Sequence, residues 1–366
     1  MRVLIVSESY APTISGVAIS VGNEARFLAS QGHQVTVLTP RQAAPPPDEA
    51  GITVLATPSV LNPFRKGSRM SSSVAGVVKK ALKEVQPEVI HLHDPGVLAS
   101  AVAHAAGTTP LIWTQHFLPA FATRYLPVFL QKRAAQSLVT RLTKLYRQAK
   151  VVIAPSTYVV DALSGQLPGV TWKVISNGVA AQEYKPVQRE SNQLLYVGRL
   201  TADKQVHLLI QMLPLLPSAT LVIIGDGAER ETLEHLAKQL KVSERITFLG
   251  WQPSARIQEA LSACSVFCMP CDIETESIAT LEALMQATPV VVAQDGAVQE
   301  LVAGERGFAV AAATPEAWAE TVGYVLANQE LAQKQALRAR AWVLEWRSLE
   351  ASMRLIGQTL TESVQV

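Results

Sequence analysis

Residues 194–224 read LLYVGRLTADKQVHLLIQMLPLLPSATLVII, and this stretch decides the fold class. Leu194–Val197 and Leu221–Ile224 are short unbroken apolar runs, and Leu208–Leu213 between them keeps a period near 3.6 residues. Strands without polar alternation are covered on both faces, the signature of a parallel sheet whose crossovers are helices. The pattern continues outward. Val3–Ser7, Val35–Thr39, Val89–Leu92, Leu111–Thr114 and Val151–Ala154 precede it, and Ile246–Leu249, Val266–Met269 and Val290–Val292 follow. Val21–Gln31 and Glu231–Leu240 repeat the helical spacing. Two such series predict an α/β chain of two doubly wound, Rossmann-like domains. Open sheets of this kind bind ligands beyond the carboxyl ends of their strands, so a site is expected in a cleft between the two.

At about 150 residues per domain, a chain of 366 residues accommodates both. Charge and a proline interrupt the pattern at Glu183–Glu190, predicting domains over 1–185 and 186–345. A last helix, Ala339 to Leu360 with Trp342 and Trp346, is expected to run on so that 346–366 crosses back to the first domain. A composition 48% hydrophobic and 17% charged excludes wholesale disorder. The longest apolar candidate, Val97–Trp113, is broken by His104, Thr108, Thr109 and Pro110, so no spanning helix is expected. The first residues are a strand pattern too short for a secretory signal. Cys264, Cys268 and Cys271 lack a nearby histidine to complete a zinc site and read as buried free thiols of a reducing, cytoplasmic compartment. Residues 1–185 carry 18 Lys+Arg against 9 Asp+Glu, a balance of +9, and residues 186–366 carry 14 against 21, a balance of −7. The basic half therefore expects an anionic partner, and the lack of any nucleic-acid module favours a lipid headgroup surface.

Four segments carry chemistry. Ser15-Gly16-Val17 follows the first strand and opens a helix, where backbone N–H groups can approach a phosphate or simply make a tight turn. Gly198, Arg199 and Lys204 lie on a strand-end loop, where two cations can converge on a diphosphate. Gly225-Asp226-Gly227 invites a dinucleotide reading that fails, because Arg230 stands where the third glycine is needed. Residues 270–284, PCDIETESIATLEAL, run from a strand end into a helix starting near Ser277. Glu274 precedes that helix and Glu282 lies two turns inside it. Both can accept hydrogen bonds from sugar hydroxyls, while the first-turn N–H groups of Ser277, Ile278 and Ala279 face an anion. Asp272-x-Glu274 has an alternative reading as a divalent-metal site, although a cage normally needs more oxygen ligands. His91 and His93 share one strand face, and His116, just past Leu111–Thr114, is the histidine best placed to emerge into the expected cleft.

Together these segments resemble family 4 of the retaining glycosyltransferases, which have the GT-B fold. The likeness covers nearly the whole chain: Ser15-Gly16-Val17, Gly32-His33-Gln34-Val35, Ala154-Pro155-Ser156, Ser176-Asn177-Gly178-Val179, Gly198-Arg199-Leu200 with Lys204, Gly225-Asp226-Gly227, Glu274-x7-Glu282, Thr288-Pro289-Val290-Val291, Gly296 and Glu300. The resemblance implies that Arg199 and Lys204 bind the donor diphosphate, Glu282 the ribose hydroxyls and Glu274 the transferred hexose. It implies that the Gly16 backbone approaches the phosphates and that His116 sits near the reacting centre. It further implies a UDP- or GDP-linked hexose donor, no metal or other cofactor, and same-face attack with retention. The chain departs from the family pattern at Gln205, where glycine is usual after the lysine, along Thr275-Glu276-Ser277, where an aromatic or apolar residue and glycine are common, and at Ser15-Gly16, where the family has a glycine pair before Val17. Glu276 is expected to bring extra negative charge toward the pyrophosphate.

The acceptor side is read from basic charge beside apolar side chains. Arg65, Lys66 and Arg69 form a basic loop, and Arg141, Lys144 and Arg147 line a helix whose other face is apolar. That arrangement suits a peripheral contact with anionic lipid or a helix packed on its own sheet with a solvated basic face. Thr114–Pro119 and Asn62–Lys66 are similar to members that glycosylate diacylglycerol or related lipids. A lipid acceptor is therefore the leading expectation, a soluble sugar or polysaccharide precursor the alternative, and a sugar-nucleotide-binding protein without turnover the rival from another class.

Overall fold

Apolar runs that bury both faces become the interior strands of two parallel sheets. In a computed structural model, which describes residues 1–13, 15–62, 69–93, 95–119, 123, 127–184 and 189–365, the chain divides into two compact units. The first holds β1 (Arg2–Val6), β2 (Gln34–Pro40), β3 (Ile52–Thr57), a small antiparallel pair β4 (Ser59–Leu61) and β5 (Arg69–Ser71), β6 (Val89–His93), β7 (Leu111–Thr114), β8 (Val151–Ala154) and β9 (Trp172–Val174). Its main sheet has the order β3-β2-β1-β6-β7-β8-β9. The second holds β10 (Gln193–Val197), β11 (Thr220–Ile224), β12 (Ile246–Gly250), β13 (Val266–Met269), β14 (Val290–Val292) and β15 (Phe308–Ala309), in the order β12-β11-β10-β13-β14-β15. The fold class is therefore α/β with two doubly wound parallel-sheet units.

Strand order reverses between β1 and β6 in the first unit and between β10 and β13 in the second. A crevice opens at such a point because the crossovers on either side leave in opposite directions. The loop carrying Arg199 and Lys204 follows β10, and the segment carrying Glu274 follows β13. Both thus emerge at the switch point of their own sheet.

All ten expected strands are present. Five more were not expected: β3, β9 and β15 are sheet edges, and β4 and β5 form the outlying pair. Edge strands are short and half-exposed, so they lack the unbroken apolar run that marks interior ones.

Two boundaries differ from expectation. The units are 1–177 with 350–366, and 178–349. The last helix is not continuous: Gln329–Trp346 ends, and Leu349–Gln365 begins anew. The break has a backbone cause. The Val179 N–H donates to the Arg347 carbonyl (3.0 Å) and the Leu349 N–H to the Val179 carbonyl (2.7 Å), so pairing with residue 179 replaces the helical ladder there. Beyond it, Gly357 lies against Phe27 and Leu28 of the first unit's own opening helix.

Candidate functional site

In the second unit the site is built on glycines that let two strand-end loops touch. Gly225 has φ +138, and a Cβ there would lie 1.8 Å from the Gly198 carbonyl oxygen; one at Gly227 would lie 2.1 Å from that of Leu200. The Leu200 N–H donates to the Asp226 carbonyl (3.0 Å) across the same contact. Gly225-Asp226-Gly227 is thus a brace for the loop after β10 and not a dinucleotide fingerprint. Gly198 also lies under Tyr196, whose hydroxyl donates to the Arg199 carbonyl (2.9 Å). The Arg199 side chain is exposed.

Lys204 ends a single 3-10 turn, Ala202–Lys204. Its Nζ lies 2.5 Å from Glu274 Oε1 and 3.8 Å from Cys271 Sγ. Burial alone would lower the lysine's pKa, but the Glu274 carboxylate outweighs it and the net shift is upward. Lys204 is therefore charged. An ammonium this close repels a second cation, which speaks against the metal reading of Asp272-x-Glu274.

The helix Ile278–Met285 opens with Ser277 at φ 75, ψ 88, and the Ser277 hydroxyl accepts from the Thr280 N–H (3.3 Å). The N–H groups of Ile278 and Ala279 donate to no other described residue, so the first turn is open to an anion. Glu282, half-buried, makes no side-chain hydrogen bond among the described residues, and burial pushes its pKa up to about 7.

Two of the departures from the family pattern now have a backbone meaning. Gln205 (φ 51) and Ser277 (φ 75) both occupy the left-handed region where glycine is usual. A side chain there costs about 1–2 kcal/mol. Gln205 makes no side-chain cap, so Gln205→Gly should raise stability by about 0.5–1 kcal/mol after the extra unfolded-state entropy of glycine is subtracted. A thermal melt checks this, and an unchanged or lower midpoint would refute the strain. At Ser277 the lost cap offsets part of the gain.

The expectation for Glu276 is corrected outright. Glu276 does not add charge toward an anion, because it is only 1% exposed and its Oε1 lies 3.0 Å from Arg347 Nη1. Arg347 is held in turn over the Trp342 ring, 5.2 Å from its centroid, and stands 3.9 Å from Glu300. The negative charge is neutralised inside the unit.

In the first unit, Gly16 is the first residue of the helix Gly16–Ser30, exposed and preceded by Ser15, whose hydroxyl accepts from the Ala18 N–H (3.1 Å). His116 is half-buried, with Nε2 2.9 Å from His93 Nδ1 and the two rings stacked at 5.2 Å. Burial, reinforced by His93 and His91, holds its pKa well below the usual imidazole value, so His116 is neutral. Behind it Glu24, His91 and His93 form a buried cluster. Two ligand atoms on one tetrahedral ion at about 2.0 Å stand roughly 3.3 Å apart, whereas Glu24 Oε1 and His91 Nδ1 are 2.6 Å apart. That is a hydrogen-bond spacing.

Of the expected acceptor-side residues, Arg65 and Lys66 lie outside the described residues. Arg69 and Arg141 line one cavity of about 250 Å³ together with Glu8, Asn62 and Gly96. Glu8 is already committed there, accepting from the N–H groups of Ser71 (2.9 Å) and Leu98 (3.0 Å). Lys144 and Arg147 are exposed along the helix Val128–Tyr146 and just past it, whose inner face buries Leu142, Leu145 and Tyr146. Phe129 (78% exposed) and Leu130 stand out at the start of that helix, beside exposed Lys132 and Arg133. A larger cavity of about 600 Å³ lies by Arg2 and Gln34, at the amino ends of β1 and β2, away from these groups. Glu24, Arg347 and Glu8 were not expected. Glu24 alone left a signal, a carboxylate inside the apolar stripe Val21, Ala25 and Leu28.

The half-buried Lys204–Glu274 pair beside an open helix N-terminus, at the switch point of one of two doubly wound units, agrees with the GT-B class of glycosyltransferases acting on nucleotide sugars. Residues 14–183 match the family model Glycosyltransferase Family 4, and residues 181–342 match Glycosyl transferases group 1. The chain belongs to the glycosyltransferases that carry these two domains in tandem. It is 25% identical over 328 residues to the sulfoquinovosyl transferase SQD2 of Arabidopsis thaliana, covering 83% of this chain and 62% of that protein, so it spans less than two thirds of that relative. It is 26% identical over 326 residues to the alpha-monoglucosyldiacylglycerol synthase of Acholeplasma laidlawii, covering 81% of each. A sucrose-phosphate synthase from Thermosynechococcus elongatus shares the fold, with TM-score 0.83, 19% identity and 98% of both chains covered. Among the described residues, no helix is long and apolar enough to cross a membrane. The three cysteines are free and buried.

Proposed function

We propose that this glycosyltransferase moves a hexose from a UDP- or GDP-linked donor to a hydroxyl of a membrane lipid, with retention of anomeric configuration and without a metal. The convergence of Lys204, Glu274 and the open N–H groups of Ile278 and Ala279 at the β10/β13 switch point carries the reading. In it Arg199, Lys204 and the helix N-terminus hold the diphosphate and take up the charge that develops on the departing nucleotide. Gly198 leaves room for the loop, and Glu274 holds the hexose. Glu276 is buried against Arg347 and does not serve as a nucleophile. Same-face attack, with the leaving phosphate accepting the acceptor's proton, fits these groups.

Glu282 is assigned to the ribose hydroxyls. They donate best to an ionised carboxylate, and its pKa near 7 makes that state pH-dependent. Nucleoside diphosphate affinity should therefore tighten between about pH 6 and pH 8, and Glu282→Gln should abolish the part of that trend due to the protein. Isothermal titration at several pH values decides it; identical slopes in the two proteins would contradict the assignment. For the free protein the sign is opposite. A carboxyl raised from 4.5 to about 7 favours the folded state below the unfolded value, and that contribution is lost as pH rises through the folded one.

The lipid acceptor is supported by exposed Phe129 and Leu130 next to Lys132 and Arg133, by the basic run Arg141, Lys144 and Arg147, and by the likeness to a diacylglycerol-glucosylating enzyme. Apolar side chains flanked by cations bind anionic bilayers. Reversing charge at Arg141, Lys144 and Arg147 should weaken sedimentation with phosphatidylglycerol vesicles severalfold; unchanged sedimentation would remove the membrane role. Turnover is tested by offering UDP- and GDP-hexoses with and without diacylglycerol vesicles, following nucleotide release and product mass. Release that requires the lipid supports the proposal. Release with a soluble sugar alone gives the acceptor to the rival reading, and tight donor binding without release gives a binding protein.

A further inference from the structure

We propose that the first unit carries a pocket for a small phosphate ester, in which Arg69 and Arg141 grip the phosphate, so that the acceptor's head group is anionic. This deepens the reading above, on which it rests, by naming the chemistry of the acceptor. Every group involved belongs to the first unit.

The pocket is lined by Glu8 and Ser9, just past β1, and by Pro95, Gly96 and Val97, just past β6. It therefore lies at the switch point of the first sheet, where open α/β sheets take their ligands. Its volume of about 250 Å³ is under the roughly 300–1,000 Å³ of pockets that enclose drug-sized ligands, so it suits a head group and not a long chain.

Glu8 holds the walls together. One carboxylate oxygen accepts from the Ser71 N–H (2.9 Å) on β5, and the other from the Leu98 N–H (3.0 Å) in the first turn of the helix Val97–Ala105. Arg69 arrives on β5, its guanidinium fixed by two hydrogen bonds to Ser59 on β4: Nε to Oγ (2.8 Å) and Nη2 to the carbonyl (2.9 Å). The β4–β5 pair, which joins neither main sheet, thereby holds an arginine in place. Arg141 comes from the helix Val128–Tyr146, with Nη2 3.3 Å from Ser100 Oγ on the helix that Glu8 holds.

Charge decides what the pocket takes. A carboxylate that shares a hollow with two guanidiniums ordinarily pairs with one of them. Glu8 instead spends both oxygens on backbone N–H groups, and neither arginine forms an ion pair among the described residues. Arg69 leaves Nη1 uncommitted there, and Arg141 leaves Nε and Nη1. Val97, which lines the pocket, has a first-turn N–H that donates to no described residue. Two cations against one anion leave net positive charge, and forked donors fit phosphate oxygens in pairs. Glu8 keeps lone pairs for a hydroxyl of the same molecule. The ligand is thus a hydroxyl-bearing phosphate ester, either a phospholipid head group or a free polyol phosphate.

Isothermal titration with glycerol 3-phosphate, with glycerol as the neutral control, reads the pocket without turnover. The wild-type protein should bind the phosphate and not glycerol. Arg69→Gln and Arg141→Gln should each weaken that binding by roughly 10-fold or more, with UDP affinity unchanged. Arg69→Lys should keep part of the affinity, since it retains the charge and loses the fork. No binding by the wild-type protein at millimolar concentration would overturn the proposal, as would equal affinity in wild type and both glutamine variants. Should a variant fail to fold, wild-type crystals soaked with glycerol 3-phosphate decide: phosphate density between Arg69 and Arg141 supports the pocket, and density elsewhere overturns it. In the transferase assay, phosphatidylglycerol vesicles and glycerol 3-phosphate separate a lipid head group from a free ester, and product from either that falls in Arg69→Gln supports the pocket. Transfer to diacylglycerol alone, at an unchanged rate in both glutamine variants, would overturn it and leave the lipid acceptor standing. Absence of any transfer counts against the proposed function and leaves the titration to judge the pocket.

Discussion

Alanine at both Arg199 and Lys204 should lower kcat by roughly 10²–10³ for each donor removed, because charge builds on the departing nucleotide only as the glycosidic bond breaks. The two cations differ in what they lose. Arg199 is exposed, so its removal takes away stabilisation of the transition state and little else. Lys204 Nζ sits 2.5 Å from Glu274, and its removal also leaves a half-buried carboxylate uncompensated. Lys204→Ala should therefore be the worse single variant, in stability as well as in rate. Stopped and steady-state assays of nucleotide release, with thermal melts alongside, separate the two losses. Turnover within a few-fold of wild type in the double variant would refute the assignment.

Glu274→Ala should abolish transfer and leave nucleoside diphosphate binding intact or somewhat tighter. Its assigned partner is the hexose, so a nucleotide without sugar loses nothing when it goes. The ion pair adds a second expectation: once Glu274 is removed, Lys204 is free to give all of its donors to phosphate. Titration with UDP and GDP and a transfer assay on the same preparation read the two effects. Loss of nucleotide affinity in this variant would mean that Glu274 holds the nucleotide, directly or through Lys204, and would contradict its role as the sugar ligand.

Interior strands were legible because burial on both faces writes itself into consecutive residues: Leu111–Thr114, Val151–Ala154, Val266–Met269 and Val290–Val292 begin and end in the structure where their apolar runs do. Ile52–Thr57 and Phe308–Ala309 were not, since a sheet edge has one covered side. The site was legible as positions and not as pairs. Arg199, Lys204, Glu274 and Glu282 could be placed at strand ends and on a helix from local spacing. Nothing local says that Lys204 meets Glu274 across 70 residues, or that Glu276 meets Arg347 across 71. Those pairs exist because parallel crossovers bring the ends of β10 and β13 together and because the chain breaks its last helix at Arg347. The effect on interpretation is direct: Glu276, read alone, is an unwelcome charge, and with Arg347 it is a neutral strut behind the site. Gln205 and Ser277 stood out only as missing glycines, and their positive φ shows that the backbone kept the glycine shape without the residue.

The central claim is tested most directly by crystals of this protein grown with UDP or GDP. The account predicts a diphosphate within hydrogen-bond reach of Arg199, Lys204 and the N–H groups of Ile278 and Ala279, with the ribose hydroxyls on Glu282. A nucleotide bound at any other place, with those groups left untouched, would contradict it.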